Sequence, residues 1–285
     1  MSLSQLTFES RVQGANIDST AWERETAAVP LPSKKYVIVF TARSGSSWLT
    51  SILSATNCLG YPEEYLNPNF VRSVAEAVHC IDPKQFLPSL QRRRQSANGV
   101  FGVEVREVDV KLMGTELFFE AFGSETVFFN LWRDNIIAQA VSLYRAVETR
   151  VFHSSDNNEN VALPEYNADA LQKWIMHLST QENANISMLK REKRAFFNIC
   201  YEQIIKNRND IIKFFANALS VAFDQEVLNK QADGELKKIG DTWNKDIEKI
   251  YRAERGDFIA KVEAERLIKK LILAQSNGRL FLPEF

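Results

Sequence analysis

The segment Tyr36-Val37-Ile38-Val39-Phe40 is an unbroken apolar run of β-branched and aromatic residues. A strand that lacks polar alternation has to be covered on both faces, as in the middle of a parallel sheet. It is followed by the polar loop Thr41–Ser47, and then by Trp48, Leu49, Ile52 and Leu53 at the spacing of a helix packing back on that sheet. The same alternation continues along the chain. Strands are expected at Val100–Val105, Thr126–Trp132 and Ala195–Tyr201, with helical patterns near 70–80, 106–122, 135–150, 168–190 and 203–219. This order predicts an α/β fold, a parallel sheet flanked by helices. From Asp224 onward strand character is lost, and polar-faced helices, including one over 257–274, are expected to form a helical C-terminal part. Residues 1–33 show no sustained period and read as an N-terminal arm; 34–285 read as a single domain with 240–285 as a helical extension. The asparagine-rich stretch Phe152–Leu163 is expected to be an exposed loop.

Composition narrows the range of functions. At 285 residues the chain can bury a sizeable core without staples. With 35 basic and 36 acidic residues the net charge is −1, so there is no global field for a polynucleotide or an anionic membrane, and any anion site has to be local. The cysteines Cys58, Cys80 and Cys200 are odd in number and widely spaced, which suits a reducing compartment. The start is not a basic segment followed by an apolar run, and no stretch approaches the roughly 18 apolar residues of a membrane span, so a cytoplasmic location is expected. His79, His153 and His177 share no ligand spacing with cysteines or acids, and no metal is expected.

Two segments carry chemistry. In Thr41-Ala42-Arg43-Ser44-Gly45-Ser46-Ser47, Gly45 permits a tight turn, the helix start offers unpaired N–H groups, and Arg43, Ser46 and Ser47 add a charge and two hydroxyls. Either a phosphate cradle or a serine-capped helix after a strand accounts for these residues. A Walker A loop would read GxxxxGK[ST]; its Lys is missing, which disfavours hydrolysis of a nucleoside triphosphate. The second segment is the strand that ends in Arg133, followed by Asp134 and Asn135 as caps and by the helix stripe Ile136, Ile137, Ala140, Val141 and Tyr144. Arg133 then falls at the carboxyl edge of the sheet, the edge that carries the ligand in open α/β folds and on which the 41–47 loop also lies. Ser142 falls off the apolar stripe and could join Arg133 on a second phosphate.

The run Tyr36-Val-Ile-Val-Phe-Thr-Ala-Arg-Ser-Gly-Ser-Ser-Trp-Leu, the motif Gly60-Tyr-Pro-Glu-Glu-Tyr-Leu-Asn and the segment Arg133-Asp-Asn-Ile-Ile-Ala-Gln-Ala-Val-Ser-Leu-Tyr-Arg-Ala together resemble the bacterial trehalose sulfotransferase family. The likeness runs from about residue 35 to about 245, including Tyr201-Glu202-Gln203-Ile204 and Leu228–Asp233. It implies a P-loop NTPase-like sulfotransferase fold, 3'-phosphoadenosine-5'-phosphosulfate (PAPS) as donor substrate without a metal, a carbohydrate or glycolipid hydroxyl as acceptor, and a homodimer. Carried over by position, Arg43, Ser44, Gly45, Ser46 and Ser47 match the loop that holds the 5'-phosphosulfate. Arg133 and Ser142 match the pair on the 3'-phosphate, and Glu64 matches the general base. Gln231–Asp233 match a loop near the nucleotide. Glu63 and Tyr65 beside the base, and Glu104, are then candidate acceptor contacts.

A sugar hydroxyl is a poor nucleophile, so removal of its proton by a carboxylate makes chemical sense. Glu63 and Glu64 are adjacent and their side chains diverge, so one of them is expected to be catalytic and the other structural or sugar-binding. Two departures from the family stand out: Glu104 replaces a usual Lys, and Asp134 follows Arg133 where a basic residue or Pro is commoner. Arg92-Arg93-Arg94 is expected on a helix facing water, and Trp132 and Trp174 in the core. The alternatives to a sulfotransferase are a nucleotide-binding protein of the same fold without transfer activity and a small-molecule kinase.

Overall fold

The computed structural model describes residues 7–152, 161–206, 208–222, 242–275 and 279–280. Most of the loop expected over 152–163 and all of 231–233 lie outside these residues, as does His153. Five parallel strands, β1 (Lys34–Val39), β2 (Val100–Val105), β3 (Val127–Trp132), β4 (Phe196–Cys200) and β5 (Arg279–Leu280), lie in the order β2-β1-β3-β4-β5. Val37 of β1 pairs with Val103 of β2 on one side and Phe128 of β3 on the other. The chain moves from β1 outward to β2 and then crosses back over β1 to β3. That reversal opens a crevice at the carboxyl ends of β1 and β3.

Helices cover both faces of the sheet. They are α1 (Phe8–Val12), α2 (Ser19–Trp22, continued by a π turn over Glu23–Ala27), α3 (Ser46–Ala55), α4 (Val71–Ala77), α5 (Pro83–Arg94), α6 (Glu107–Met113), α7 (Thr115–Phe122), α8 (Ile136–Thr149), α9 (Ala168–Arg191), α10 (Tyr201–Ile204), α11 (Arg208–Leu219), α12 (Thr242–Glu254) and α13 (Gly256–Gln275). The apolar run of β1 serves two cores. Val37 and Val39 join Val103, Val105 and Phe128 beneath α5 to α7, while Tyr36 and Ile38 join Phe129, Leu131 and Phe215 beneath α3 and α11. Side chains alternate across a strand, so a residue that is apolar at every position is wanted only where both faces are packed.

Several sequence expectations are revised. The helix expected over 106–122 is two, broken at Gly114, whose φ of 94° no helical residue adopts. β5 was not anticipated; a two-residue strand is too short to carry a periodic signal. The arm packs into the domain: Phe8 and Val12 enter the first core, and Trp22 Nε1 donates to Ser89 Oγ at 2.8 Å. Burial of a side chain such as Phe8 stabilises by roughly 1.5–3 kcal/mol. Arg92, Arg93 and Arg94 do not simply face water. Arg92 donates to the Val29 carbonyl, Arg93 pairs with Glu25 at 2.9 Å, and Arg94 reaches the Tyr65 hydroxyl at 2.9 Å and Glu63 at 3.0 Å. They tie the arm and the Glu63 segment to α5. Among the described residues no helix is long and apolar enough to cross a membrane.

Candidate active site

After β1 the chain turns tightly, with Ser44 N–H donating to the Thr41 carbonyl at 3.2 Å, Arg43 at φ 62° and Gly45 at φ 88°. Gly45 occupies the cap position of α3 and offers no side chain there, so the first N–H groups of the helix open toward the crevice with its positive dipole end. Two constraints select glycine. The φ is left-handed, and a Cβ would meet the Tyr201 ring at 2.3 Å.

The turn is held from behind by buried amides that the sequence analysis did not single out. Gln139 Nε2, on α8, donates to Thr41 Oγ1 at 2.9 Å and to the Ala42 carbonyl at 2.7 Å. Asn185 Nδ2, on α9, donates to the Phe40 carbonyl at 2.7 Å, while its Oδ1 accepts from Glu107 N–H at 2.8 Å. A buried amide must find partners, so each of these fixes a backbone position. The available signal for Gln139 was a polar residue set inside the apolar stripe of Ile136, Ile137 and Ala140.

Arg43 links Ser142 to Arg133. Its Nε donates to Ser142 Oγ at 3.0 Å and its Nη1 to the Phe152 carbonyl at 2.6 Å, while its own carbonyl accepts from Arg133 Nη1 at 3.2 Å. Ser142 is therefore engaged by Arg43 rather than free, and Arg43 stands between it and Arg133. The Arg133 guanidinium lies 4.8 Å over the Tyr201 ring, with Glu202 Oε1 3.7 Å from its Nε. Among the described residues, Arg133 Nε and Ser44 Oγ are buried without a hydrogen-bond partner. An open helix start with an arginine bonded to the turn suits an anionic ligand.

Asp134, Cys200 and Glu202 place their potential ligand atoms within 4.8 Å of one another. Each already has partners within the protein. Glu202 accepts from Asp134 N–H at 2.8 Å, Asn135 N–H at 3.2 Å and the Cys200 thiol at 3.2 Å, and Asp134 pairs with Lys270. Burial, reinforced by the Asp134 and Glu202 charges, pushes the Cys200 thiol up to about 12, so it keeps its proton as a donor. Lys270 also neutralises Asp134, which removes much of the repulsion that an acid next to Arg133 would offer an incoming phosphate.

On the β2 side, Glu104 N–H donates to the Glu63 carbonyl at 3.0 Å and so fastens the Gly60–Tyr65 segment to the sheet. Glu63 points out to Arg94, whereas Glu64 is half-buried and accepts from Asn67 Nδ2 at 2.7 Å. Tyr65 is a core residue and not an accessible acceptor contact. Its ring is buried against Phe101 at 6.3 Å, and its hydroxyl donates to the Tyr61 carbonyl and accepts from Arg94.

Glu104 is 3% exposed and its Oε1 has no hydrogen-bond partner among the described residues. Burial, then the charge of Glu64, raises its carboxyl well above the usual carboxylate range; the Ser46 hydroxyl beside it pulls the other way, and Glu63 adds to the rise. Two residues on, Arg106 forms a bidentate pair with Asp109 at 2.7 and 2.8 Å; against the cost of burial, Asp109 and then Glu64 raise its pKa. His177 is held below its ordinary value by burial and by Arg106. Neither Arg106 nor His177 was a sequence candidate.

Among solved structures, the sulfotransferase domain of the Synechococcus PCC 7002 olefin synthase is 16% identical with a TM-score of 0.46, over 76% of this chain and 84% of that one. Trehalose 2-sulfotransferase of Mycobacterium tuberculosis is 23% identical over 224 residues, 65% of this chain and 84% of the relative. The enzyme of the same name from Mycolicibacterium smegmatis is 25% identical over 239 residues, 70% of this chain and 90% of the relative. The Stf0 sulphotransferase family matches residues 35–254, which hold β1 but for its first residue, β2 to β4, the 41–47 turn, Glu64, Glu104, Arg133 and Ser142. A match over that much of the chain makes this protein a member of the Stf0 sulphotransferase family.

Proposed function

We propose that this chain moves a sulfuryl group from PAPS to a hydroxyl of a carbohydrate or glycolipid acceptor, trehalose-like in class. The observation that carries the reading is the convergence, at the β1/β3 switch point, of the open α3 start, Arg43 with Ser142, and a buried Arg133 whose Nε is unmatched. In this reading the 43–47 turn holds the 5'-phosphosulfate through its N–H groups and the Ser44, Ser46 and Ser47 hydroxyls, while Arg133, backed by Arg43 and Ser142, takes the 3'-phosphate. Glu64 accepts the proton of the acceptor hydroxyl as its oxygen forms the new S–O bond. The S–O bond to the 5'-phosphate breaks, and 3'-phosphoadenosine-5'-phosphate leaves. A sulfuryl group carries less negative charge than a phosphoryl group, so helix N–H donors and arginine can stabilise the transition state without a metal.

Glu104 gives the acceptor side its own character. Burial and the Glu64 charge shift it toward the protonated form, so behind the acceptor side it acts as a hydrogen-bonding acid rather than as a second full negative charge, while Arg106 stands near Glu64. The same buried acid is the one observation that favours a second reading, a protein that binds the nucleotide without transferring sulfate. A kinase reading is opposed by the missing Walker lysine.

Calorimetry with 3'-phosphoadenosine-5'-phosphate, with and without magnesium and with ATP as control, tests the donor site. Metal-independent binding that favours the 3'-phosphate is expected; absence of binding would overturn the proposal. Transfer from radiolabelled PAPS to a panel of disaccharides and glycolipids then separates enzyme from binding protein.

A further inference from the structure

The family match ends at residue 254, yet the next helix reaches into the site. Arg266, on α13, is 3% exposed. Its Nε and Nη2 bind Glu182 of α9 at 3.2 and 2.6 Å, Nη2 also donates to the Arg133 carbonyl at 2.6 Å, and Nη1 donates to the Asp134 carbonyl at 2.7 Å. One turn later Lys270 pairs with Asp134 and lies 4.4 Å over the Trp132 ring. A buried ion pair is a poor way to gain stability, since well-packed apolar residues often do as well. What this pair provides is direction. Glu202 holds the N–H groups of 134 and 135 from one side while Arg266 holds the carbonyls of 133 and 134 from the other. The peptide that launches the Arg133 side chain is thereby fixed at both polar ends. Binding of a phosphate by a guanidinium fork depends on orientation to a fraction of an ångström.

We infer that Arg266 is a positioning residue for the 3'-phosphate pocket, acting through Arg133, and that α13 is part of the nucleotide site. This rests on the donor reading above. The test is the selectivity of the full chain for 3'-phosphoadenosine-5'-phosphate over adenosine 5'-monophosphate, measured by calorimetry. Wild type should show a marked preference. Arg266→Met should reduce that preference about tenfold, the weight of one charge-assisted hydrogen bond, with affinity for the monophosphate changed less than about twofold. In an Arg133→Ala background the same substitution should change the preference no further. Glu182→Gln, a milder change that leaves the arginine in place, should give a partial loss and serves if Arg266→Met does not fold. An unchanged preference in the variants, or equal weakening of both nucleotides, would overturn the inference and leave the donor site standing. A wild type with no preference would instead overturn the donor reading, and the inference with it.

Discussion

The two sides of the crevice are built on different terms. On the β1/β3 side nearly every polar group behind the turn is spoken for: Gln139 and Asn185 hold its carbonyls, Glu202 and Arg266 hold the backbone after β3, and Lys270 balances Asp134. Arg133 Nε and Ser44 Oγ are among the buried polar atoms there that have no hydrogen-bond partner within the described residues. On the β2 side three acids, Glu63, Glu64 and Glu104, gather with fewer fixed partners, and a buried carboxyl oxygen is unmatched. A rigid frame around a few open positive groups suits one invariant anion. A looser set of acids, with Arg94 and Arg106 beside them, suits a neutral polyhydroxyl acceptor. The first side should therefore respond to substitution by losing donor affinity, and the second by losing turnover or pH behaviour.

The sharpest test is Glu64→Gln, which keeps the shape and removes the base. Turnover should fall by roughly 10²–10⁴-fold, the usual weight of general base catalysis, while affinity for 3'-phosphoadenosine-5'-phosphate stays within about twofold of wild type. Single-turnover transfer and calorimetry on the same preparation check both arms; normal turnover would remove Glu64 from the mechanism. Arg133→Ala should do the reverse. Loss of charge-assisted contacts worth about 1.5–3 kcal/mol each should weaken bisphosphate binding by one to two orders of magnitude. The monophosphate should be affected little, and competitive calorimetry reads the difference.

Gly45→Ala lies on the frame itself. A φ of 88° combined with a Cβ 2.3 Å from the Tyr201 ring forces either the turn or the ring that stacks on Arg133 to move. A cost of about 1–3 kcal/mol is expected in urea unfolding, together with weakened nucleotide binding. Unchanged stability and binding would show that the turn and the Tyr201 ring can move without loss, and that the β1/β3 side is not a rigid frame.

The frame and the acids were not equally readable from the sequence. Strong periodicity placed β1 to β4 and the long helices, because parallel strands covered on both faces and amphipathic helices leave dense local patterns. The place of the 41–47 turn and of Arg133 at the carboxyl edge of the sheet was legible because each follows a dense apolar strand and precedes a helix stripe. Gln139, Asn185 and Arg266 were not, since each is a single polar residue whose partner lies far along the chain, and no local pattern announces such a bond. Tyr65 was misplaced for a related reason. An aromatic residue beside Glu63 and Glu64 looks the same in the sequence whether it faces a ligand or Phe101, and only the packing decides. β5 returns from the far end of the chain with two residues, too few for any period.

Glu104→Gln has the smallest expected effect and bears most directly on the acceptor side. A carboxyl whose folded pKa lies above its unfolded value binds more protons in the native state across the interval between the two. Its contribution is therefore fully present below about 4.5, the ordinary glutamate value, and is lost as the pH rises through the raised value. Wild type should lose stability over that interval, and Glu104→Gln, which mimics the protonated acid, should flatten the slope and be the more stable protein at its upper end. Thermal unfolding from pH 4 to 9 measures this directly. If the reading of the acceptor side is right, the amide should also keep transfer at neutral pH, because it still donates a hydrogen bond. Glu104→Ala should lose much of it, since it leaves a space beside Ser46 with no donor. Equal activity in both variants would mean that the buried acid serves the fold alone, and the contrast between the two sides would then rest on Glu64.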